Sequence, residues 1–344
     1  MRALRKVAPG KDGIILKNVP EPVCGDNDIV IEVYCVGICG SDLHIWRDEK
    51  EHKEPVTLGH EYSGKVIAAG DACTHIKVGD RICGDLETLN GRIGTHVDGA
   101  YAPKLAIPES LAHKLPDNVS YEEGAMVELV TCMSHDLIHR SRINPSDFVV
   151  VLGPGPIGLT LTQLVKLWSP RCVLTTGLRS DTKRLEKAKK LGADITYYSE
   201  DDPVAKVMEL TNGNGADFIV DATGGEDAIT QATKMACMGG WITIVGLWGN
   251  PIKANLDMIP YHSLTVRGGW GWAGMESSSQ AVRMAAGYES WERALQILAL
   301  GKIDMPGMIT KKIVLDDWRQ AYEDLEAKKE IKVMCYPNPD TYGF

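Results

Sequence analysis

The stretch that decides the fold is Val149-Val150-Val151-Leu152, followed by Gly153-Pro154-Gly155-Pro156-Ile157-Gly158 and then Leu159-Thr160-Leu161. A G-x-G-x-x-G pattern between an apolar strand and an apolar helix is typical of a dinucleotide-binding turn. Gly153 permits the tight turn, Gly155 lets the backbone approach a diphosphate, and Gly158 lets helix and strand pack closely. The diphosphate is expected at the positive end of the helix. A simple Gly/Pro turn is the alternative interpretation.

From Phe148 onward, apolar strands alternate with helical segments. The pattern predicts strands at 149–152, 218–221 and 241–245, and a helix at 184–191. Strand–helix alternation of this kind indicates a parallel, doubly wound sheet in an α/β fold.

The chain on either side of this region has a different pattern. Short β-branched runs broken by Gly and Pro, such as 29–33 and 63–69, predict an irregular β-rich domain. Residues 144–147, Asn-Pro-Ser-Asp, form a turn signal that ends it. After about Tyr288 we expect a helix, a strand, a second helix and a last strand.

Length and composition limit the possible functions. A chain of 344 residues is expected to form two domains. The net charge of −9, with both signs interspersed, predicts no nucleic-acid and no membrane partner. Nine scattered cysteines fit a reducing compartment, and no secretory segment begins the chain, so we expect a cytoplasmic protein. The longest apolar stretch, 148–168, is split by glycines and prolines and is not expected to span a membrane.

Two segments carry metal-binding side chains. Cys39 is followed by Ser41 and His44, and His60-Glu61 lies in a second segment. A thiolate, an imidazole and a carboxylate suit Zn²⁺ with an open position for water or substrate. Taken alone, Cys39 could equally be a buried structural thiol.

These residues resemble the zinc-dependent medium-chain dehydrogenase/reductase family. The zinc signature of that family is matched by Gly59-His60-Glu61 with Gly64 and Gly70, and its catalytic-cysteine segment by residues 37–44. The likeness continues to 291–294 and 331–333. It implies a Rossmann domain at 148–287 and a discontinuous GroES-like catalytic domain made of 1–147 and 288–344.

The resemblance implies a ligand set for one catalytic zinc ion. Cys39 and His60 are expected ligands, and Glu61 is expected to coordinate the metal or to stand behind it and exchange with water. Glu128 is expected to bind zinc or its water, as in the polyol and threonine branches of the family; an exposed helix carboxylate is the alternative. Asp42 is expected to hold His60 in orientation from behind.

The second strand of the dinucleotide-binding region decides between NAD and NADP. It ends in Gly177-Leu178-Arg179, and by alignment with the family Arg179 takes the place of the acid that binds the ribose in NAD-specific sites. A glycine followed by an arginine makes room and countercharge for a 2′-phosphate, so we expect NADP to be favoured. The alternative is an exposed Arg179, with Asp181 on the ribose and NAD as cofactor. The resemblance adds further cofactor contacts at Ile157, Arg184, Val245, Gly246, Leu247, Gly269, Trp270 and Gly271.

The chain departs from its relatives in two places. No cysteine lies between Cys83 and Cys132, where most of the family has a lobe with a structural Cys₄ zinc site, so that second ion is predicted to be absent. Sorbitol-type relatives have a tyrosine and an arginine where Ile45 and Gly271 stand here, and the Trp-rich segment 270–275 replaces them.

The function implied is a zinc-dependent oxidoreductase that moves hydride between NAD(P) and a secondary alcohol, polyol or sugar hydroxyl. Zinc would lower the pKa of the substrate hydroxyl, and Ser41, the cofactor ribose and His44 would pass its proton to solvent, with Glu61 beside the metal. A threonine-3-dehydrogenase-like enzyme is one alternative. A zinc-free NADP-binding protein of the quinone-reductase or crystallin type is another. A homo-oligomer, either a dimer or a tetramer, is expected.

Overall fold

The structure is a computed structural model that describes residues 1–139, 141–269, 271 and 280–342. The strands, in chain order, are β1 Arg2–Lys6, β2 Ile14–Asn18, β3 Asp28–Gly37, β4 Val56–Thr57, β5 Glu61–Ala69, β6 Arg81–Gly84, β7 Glu87–Thr88, β8 Gly91–Arg92, β9 Lys104–Pro108, β10 Ala112–Lys114, β11 Phe148–Leu152, β12 Cys172–Gly177, β13 Ile195–Tyr198, β14 Ala216–Asp221, β15 Ala236–Ile244, β16 Thr265–Gly268, β17 Ile309–Ile313 and β18 Lys332–Cys335. The helices are α1 Gly40–Trp46, α2 Tyr121–Ala125, α3 Val127–His139, α4 Pro156–Val165, α5 Thr182–Lys190, α6 Pro203–Leu210, α7 Ala228–Met235, α8 Met258–Tyr261, α9 Gln280–Ala299, α10 Trp318–Glu326 and α11 Pro339–Tyr342.

The chain divides into two compact units. The first contains Met1–Glu128, Ala273–Gly301 and Met305–Phe344, and the second contains Leu129–Trp272 and Lys302–Asp304. The domain boundaries predicted from the sequence, at 147/148 and 287/288, stay a prediction.

The first unit is built on a sheet in the order β10-β6-β5-β3-β18-β17, with β9 also paired to β3. The two segments that carry the metal-binding side chains meet in this sheet, because β3 pairs antiparallel with β5 and brings Gly37 opposite Glu61. The closing strand β18 pairs with the other edge of β3, with Met334 opposite Gly37. The predicted β-rich architecture is confirmed, and the sheet includes the late strands β17 and β18.

The second unit contains the predicted doubly wound sheet. Its strands run parallel in the order β13-β12-β11-β14-β15-β16. Numbered along the chain, this is the 3-2-1-4-5-6 order of dinucleotide-binding folds. Val150, Leu174, Ile219 and Ile242, one from each central strand, are fully buried in the core. Burial of such a side chain stabilises the fold by roughly 1.5–3 kcal/mol.

One strand of this sheet is longer than the sequence pattern indicates. β15 begins at Ala236, whereas the apolar run predicts a strand only from Trp241. The pairing with β14 shifts register between Ala216 and Phe218, which marks an irregularity beside Gly239 and Gly240. Glycines have no side chain and therefore contribute nothing to an apolar strand pattern. The sequence pattern for this reason does not predict the first half of β15.

None of the helices in the described part of the chain combines the length and the apolar composition that a bilayer crossing requires. Where relatives carry the cysteine-rich lobe, this chain forms the short hairpin of β7 and β8.

Candidate active site

The first segment of the site is the start of α1. Cys39 is the N-cap residue of this helix, and its backbone N–H donates to Asp42 Oδ2 at 2.9 Å. The hydroxyl of Tyr101 donates to the same oxygen at 3.0 Å. Asp42 is fully buried, and these two hydrogen bonds hold its carboxylate in place. The position of the Cys39 thiol is therefore set by a buried carboxylate that the sequence analysis expected nearby.

The second segment, His60-Glu61, follows a turn that only glycine can make. Gly59 has a φ of 92°, and a Cβ there would lie 2.9 Å from the ring of Tyr101. Any side chain would therefore suffer both backbone strain and a clash. The turn places His60 directly before β5, with a ring nitrogen within 4.8 Å of the Cys39 thiol.

Three donor atoms converge in this unit. The ligand atoms of Cys39, His60 and Glu61 all lie within 4.8 Å of one another. His60 is 6% exposed and Glu61 1% exposed, whereas Cys39 is half-buried. Nδ1 of His60 lies 3.7 Å from Asp42 Oδ1, which is too far for a hydrogen bond, so the supporting role of Asp42 stays a prediction. Such a soft and anionic donor set fits Zn²⁺.

The electrostatics of the cluster favour a bound cation. Burial opposes a positive charge on His60, but the neighbouring Cys39, Asp42 and Glu61 outweigh it and raise the pKa of His60 to about 9. The anionic surroundings that raise the proton affinity of His60 would equally attract a divalent ion. Among the described residues, Glu61 Oε1 meets no hydrogen-bond donor, and it is a buried oxygen that a metal would satisfy.

A residue that the sequence analysis quoted for the family likeness, but did not assign to the site, lies against the cluster. Lys332, at the start of β18, is fully buried and donates to Glu61 Oε2 and, at 3.0 Å, to the carbonyl of Ile38. Burial lowers the pKa of Lys332, but the charges of Glu61, Cys39 and Glu128 raise it above its ordinary value. A lysine inside an apolar strand requires a buried partner, and that was the signal that could have found it.

The predicted fourth ligand does not join this group of donors. Glu128 lies half-buried at the start of α3, the helix that its apolar surroundings predict. Its carboxylate is near enough to raise the pKa of Lys332. The converging atoms found among the described residues are those of Cys39, His60 and Glu61, without Glu128.

The predicted proton relay begins beside the donor group. Ser41 Oγ lies 3.3 Å from His60 Nε2. His44, two residues from α1's end, is half-exposed, and its Nδ1 lies 2.8 Å from Glu49 Oε2. Arg47 and then His44 lower the pKa of Glu49 to about 2. A carboxylate that stays ionised therefore holds His44 at the surface.

In the second unit, the glycines of the turn after β11 occupy the predicted positions. Gly153 has a φ of 94°. A Cβ on Gly158 would lie 1.8 Å from the carbonyl oxygen of Gly153, so the close packing of helix on strand requires its absence. A Cβ on Gly155 would meet nothing within 4 Å. Open space at the N-cap of α4 is what a diphosphate needs to approach the backbone, so the turn fits a dinucleotide.

The adenosine end of this turn carries Arg179. It begins a 3₁₀ turn, Arg179–Asp181, directly after β12, and its guanidinium pairs with the carboxylate of Asp201. Asp181, the alternative ribose contact, is buried, accepts from the N–H of Leu178 at 3.3 Å and pairs with Arg184 at 3.6 Å. Arg179 is thus the more accessible of the two candidates.

The remaining predicted cofactor contacts lie around the same edge of the sheet. Ile157 is half-buried in the first turn of α4. Val245 and Gly246 both donate their N–H groups to the carbonyl of Asp221, at 2.8 and 2.9 Å, and Leu247 is exposed. These residues follow the carboxyl end of β15, where parallel sheets bind ligands.

The last predicted cofactor segment is only partly described. Gly269 donates to the carbonyl of Ile244 at 2.7 Å, and a Cβ on it would lie 2.6 Å from the carboxyl carbon of Asp136. Gly271 has a φ of 76°. Trp270, the remaining residue of that prediction, lies outside the described residues.

Comparison with known proteins agrees with this geometry. The model of the alcohol dehydrogenase GroES-like domain matches residues 25–117, and that of the zinc-binding dehydrogenase domain matches residues 156–287. D-arabitol-phosphate dehydrogenase from Enterococcus avium is 34% identical over 99% of both chains. The chain belongs to the zinc-dependent medium-chain dehydrogenase family. It is an oxidoreductase of alcohol groups whose cofactors are zinc and NAD(P).

Other members of this dehydrogenase family match the whole chain. Sorbitol dehydrogenase from Halalkalibacterium halodurans is 32% identical, over 98% of this chain and 99% of its own. The crystal structure of 2R,3R-butanediol dehydrogenase from Bacillus subtilis superposes with a TM-score of 0.84 at 29% identity, over 98% of this chain and 99% of the other. A Sinorhizobium meliloti protein crystallised with NADP has the same TM-score and coverage at 27% identity.

Proposed function

We propose that this dehydrogenase holds its catalytic zinc ion with Cys39, His60 and Glu61, and that Glu128 acts as a further donor to the metal or its water. The observation that supports the proposal is the convergence of the first three donor atoms within 4.8 Å, in a buried site that raises the proton affinity of His60. Glu128 is supported by its charge acting on Lys332 beside the cluster.

The chain's own groups have distinct tasks in this proposal. Zinc, when bound, supplies a Lewis acid at the substrate oxygen, and the nicotinamide supplies the hydride acceptor. Ser41, 3.3 Å from His60, receives the hydroxyl proton of the substrate and passes it by way of the cofactor ribose to His44, which releases it at the surface, where Glu49 orients the imidazole. Lys332 neutralises one oxygen of Glu61 and leaves the other directed at the donor cluster.

The substrate we propose is a polyol or sugar alcohol, oxidised at a secondary hydroxyl. Two relatives that match nearly the full chain are named for the oxidation of arabitol phosphate and of sorbitol. A relative of 28% identity is an L-threonine 3-dehydrogenase, so threonine is the second substrate class to test. The departures at Ile45 and Gly271 indicate a polyol contact pattern unlike that of sorbitol-type enzymes.

NADP is the cofactor we propose, on the strength of Arg179. This guanidinium lies after the carboxyl end of β12, the position from which dinucleotide-binding folds contact the adenosine ribose. The open cradle at Gly155 and the packing of Gly177 against Pro154 support the dinucleotide turn. The further cofactor contacts that we propose are Ile157, Gly158, Arg184, Val245, Gly246, Leu247, Gly269, Trp270 and Gly271.

Two further properties belong to the proposal. The nine cysteines are all free thiols, which suits a reducing cytoplasm. A homo-oligomer, a dimer or a tetramer, is proposed as the working state.

A metal analysis and a substrate panel test the proposal together. The purified protein should contain one zinc ion per chain, and Cys39→Ser should contain none. Polyols, secondary alcohols, aldoses and threonine are then offered with NAD and with NADP. Oxidation of a polyol with NADP supports the proposal, whereas turnover that persists after complete, verified removal of zinc contradicts it.

A further inference from the structure

We propose that Asp201 weakens the preference for NADP over NAD, because its carboxylate forms an ion pair with the guanidinium of Arg179, which a 2′-phosphate would otherwise bind. The inference rests on the proposed function, in which Arg179 faces the adenosine ribose. Asp201 lies in the loop after β13, whereas Arg179 lies in the loop after the neighbouring strand β12.

The sheet brings the two loops together. β12 and β13 are parallel neighbours, and Gly177 lies opposite Tyr198 at their carboxyl ends. The N–H of Ser199 donates to the carbonyl of Gly177 at 2.9 Å, so the register continues beyond the strands. Arg179 and Asp201 therefore both lie at the edge of the sheet where the adenosine half of a dinucleotide binds.

The partners of the ion pair are held in place from both sides. The guanidinium carbon of Arg179 lies 4.8 Å from the ring centre of Tyr198, and the backbone N–H of Arg179 donates to Glu200 at 3.0 Å. Asp201 is held by its own backbone, since its N–H donates to Tyr198 at 3.1 Å and its carbonyl accepts from Tyr197 Oη at 2.8 Å. These backbone contacts keep the Asp201 carboxylate beside the Arg179 guanidinium.

Exposure leaves the guanidinium within reach of a ligand. The side chain of Arg179 is 59% exposed and that of Asp201 39% exposed. A phosphate that approaches Arg179 has to displace Asp201 from the guanidinium or share the guanidinium with it. NAD places only a hydroxyl at this position, so its binding is nearly independent of the pair. Asp201 thus lowers the affinity for NADP alone.

The size of the effect follows from the exposure of the pair. Ion pairs at a surface are worth about 1 kcal/mol or less, which corresponds to a change of about fivefold in a dissociation constant. Asp201 therefore moderates a preference that Arg179 creates, and it does not reverse it.

Direct binding measurements test the inference without any turnover. Calorimetry at low salt would measure NADP and NAD, and also 2′-AMP and 5′-AMP as fragments, on the wild type and on Asp201→Asn. We expect Asp201→Asn to tighten NADP and 2′-AMP by about two- to fivefold, with NAD and 5′-AMP changed less than the other two. Glu200→Gln is the matched control, because it removes one negative charge from the neighbouring residue while the Arg179 guanidinium keeps its partner.

The Arg179→Ala background shows whether the effect passes through the guanidinium. There, Asp201→Asn should no longer tighten NADP. Equal tightening by Glu200→Gln, equal tightening of NAD, or an effect that survives Arg179→Ala would each overturn the role of Asp201. A wild type that binds neither nucleotide would instead refute the proposed function itself, and with it this inference.

Discussion

Lys332 and Glu61 form a buried ion pair although 271 positions of the chain separate them. The ammonium neutralises Glu61 Oε2 and leaves Oε1, on the same carboxylate, without a donor among the described residues. The pair therefore gives Glu61 one oxygen fixed by the protein and one available to the donor cluster.

Lys332→Met should destabilise the protein more than an ordinary core substitution. It leaves the Glu61 carboxylate buried and uncompensated, which costs about 3–5 kcal/mol. The double variant Lys332→Met with Glu61→Gln removes both charges and should recover most of the loss. Urea unfolding of the zinc-free proteins measures both. If the free energy of unfolding of Lys332→Met were within about 1 kcal/mol of the wild-type value, the ion pair would contribute little to stability.

Cys39→Ser should remove bound zinc and turnover while cofactor binding persists. A serine hydroxyl does not ionise near neutral pH and is a poor ligand for Zn²⁺. Zinc content by atomic emission and NADP affinity by fluorescence separate the two effects. Cys24→Ser is the control, since that thiol donates to the carbonyl of Asp28 and lies outside the donor group. Full zinc content in Cys39→Ser would contradict the assignment.

The metal-free protein should lose stability as the pH rises from about 6.5 to about 9. The pKa of His60 is about 9 in the fold and about 6.5 for an ordinary histidine in an unfolded chain, so protonated His60 stabilises the metal-free fold fully below pH 6.5. That contribution, about 3 kcal/mol at most, is lost by pH 9. Unfolding across this range, in wild type and His60→Gln, measures the difference.

Zinc affinity should follow the opposite trend over the same pH range. The ion has to displace the proton on His60, so binding strengthens as the pH rises toward 9. Chelator competition at several pH values checks it, and an affinity independent of pH would show that His60 is not a ligand.

Asp42→Asn should weaken metal binding although no ligand is removed. The carboxylate supports both the Cys39 N–H and the His60 ring, and losing such support costs about 10- to 100-fold in metal affinity. Tyr101→Phe, which removes only the hydroxyl that donates to Asp42 at 3.0 Å, should have a smaller effect. If Asp42→Asn bound zinc as tightly as wild type, its supporting role would be disproved.

Arg179→Asp should move the preference from NADP toward NAD. It replaces the countercharge of the 2′-phosphate with a repulsive carboxylate, and a hydrogen bond to a charged group is worth about 1.5–3 kcal/mol, or roughly 10- to 100-fold in affinity. The ratio of kcat/KM for the two cofactors measures the shift. An unchanged ratio would indicate that Arg179 does not touch the ribose.

Local patterns were enough to predict most of the architecture. The run from Val149 to Leu161 contains its own strand, turn and helix signals, and the structure confirms them because each depends on neighbours a few residues away. The donor cluster was equally predictable in composition, since Cys39 and His60-Glu61 carry the chemistry in short segments. The start of β15 was not predicted, because Gly239 and Gly240 interrupt the apolar pattern that indicates a strand.

The sequence by itself determined which elements form and which side chains offer metal-binding atoms. Only the tertiary structure decided which distant residues complete the sites: Lys332 against Glu61, through the pairing of β18 with β3, and Asp201 against Arg179, through the pairing of β13 with β12. Both pairs depend on strand register between segments far apart in the chain. A tight turn fixes the register of a hairpin, but neither of these strand pairs is a hairpin, so no turn signal in the sequence indicates which residues lie opposite each other.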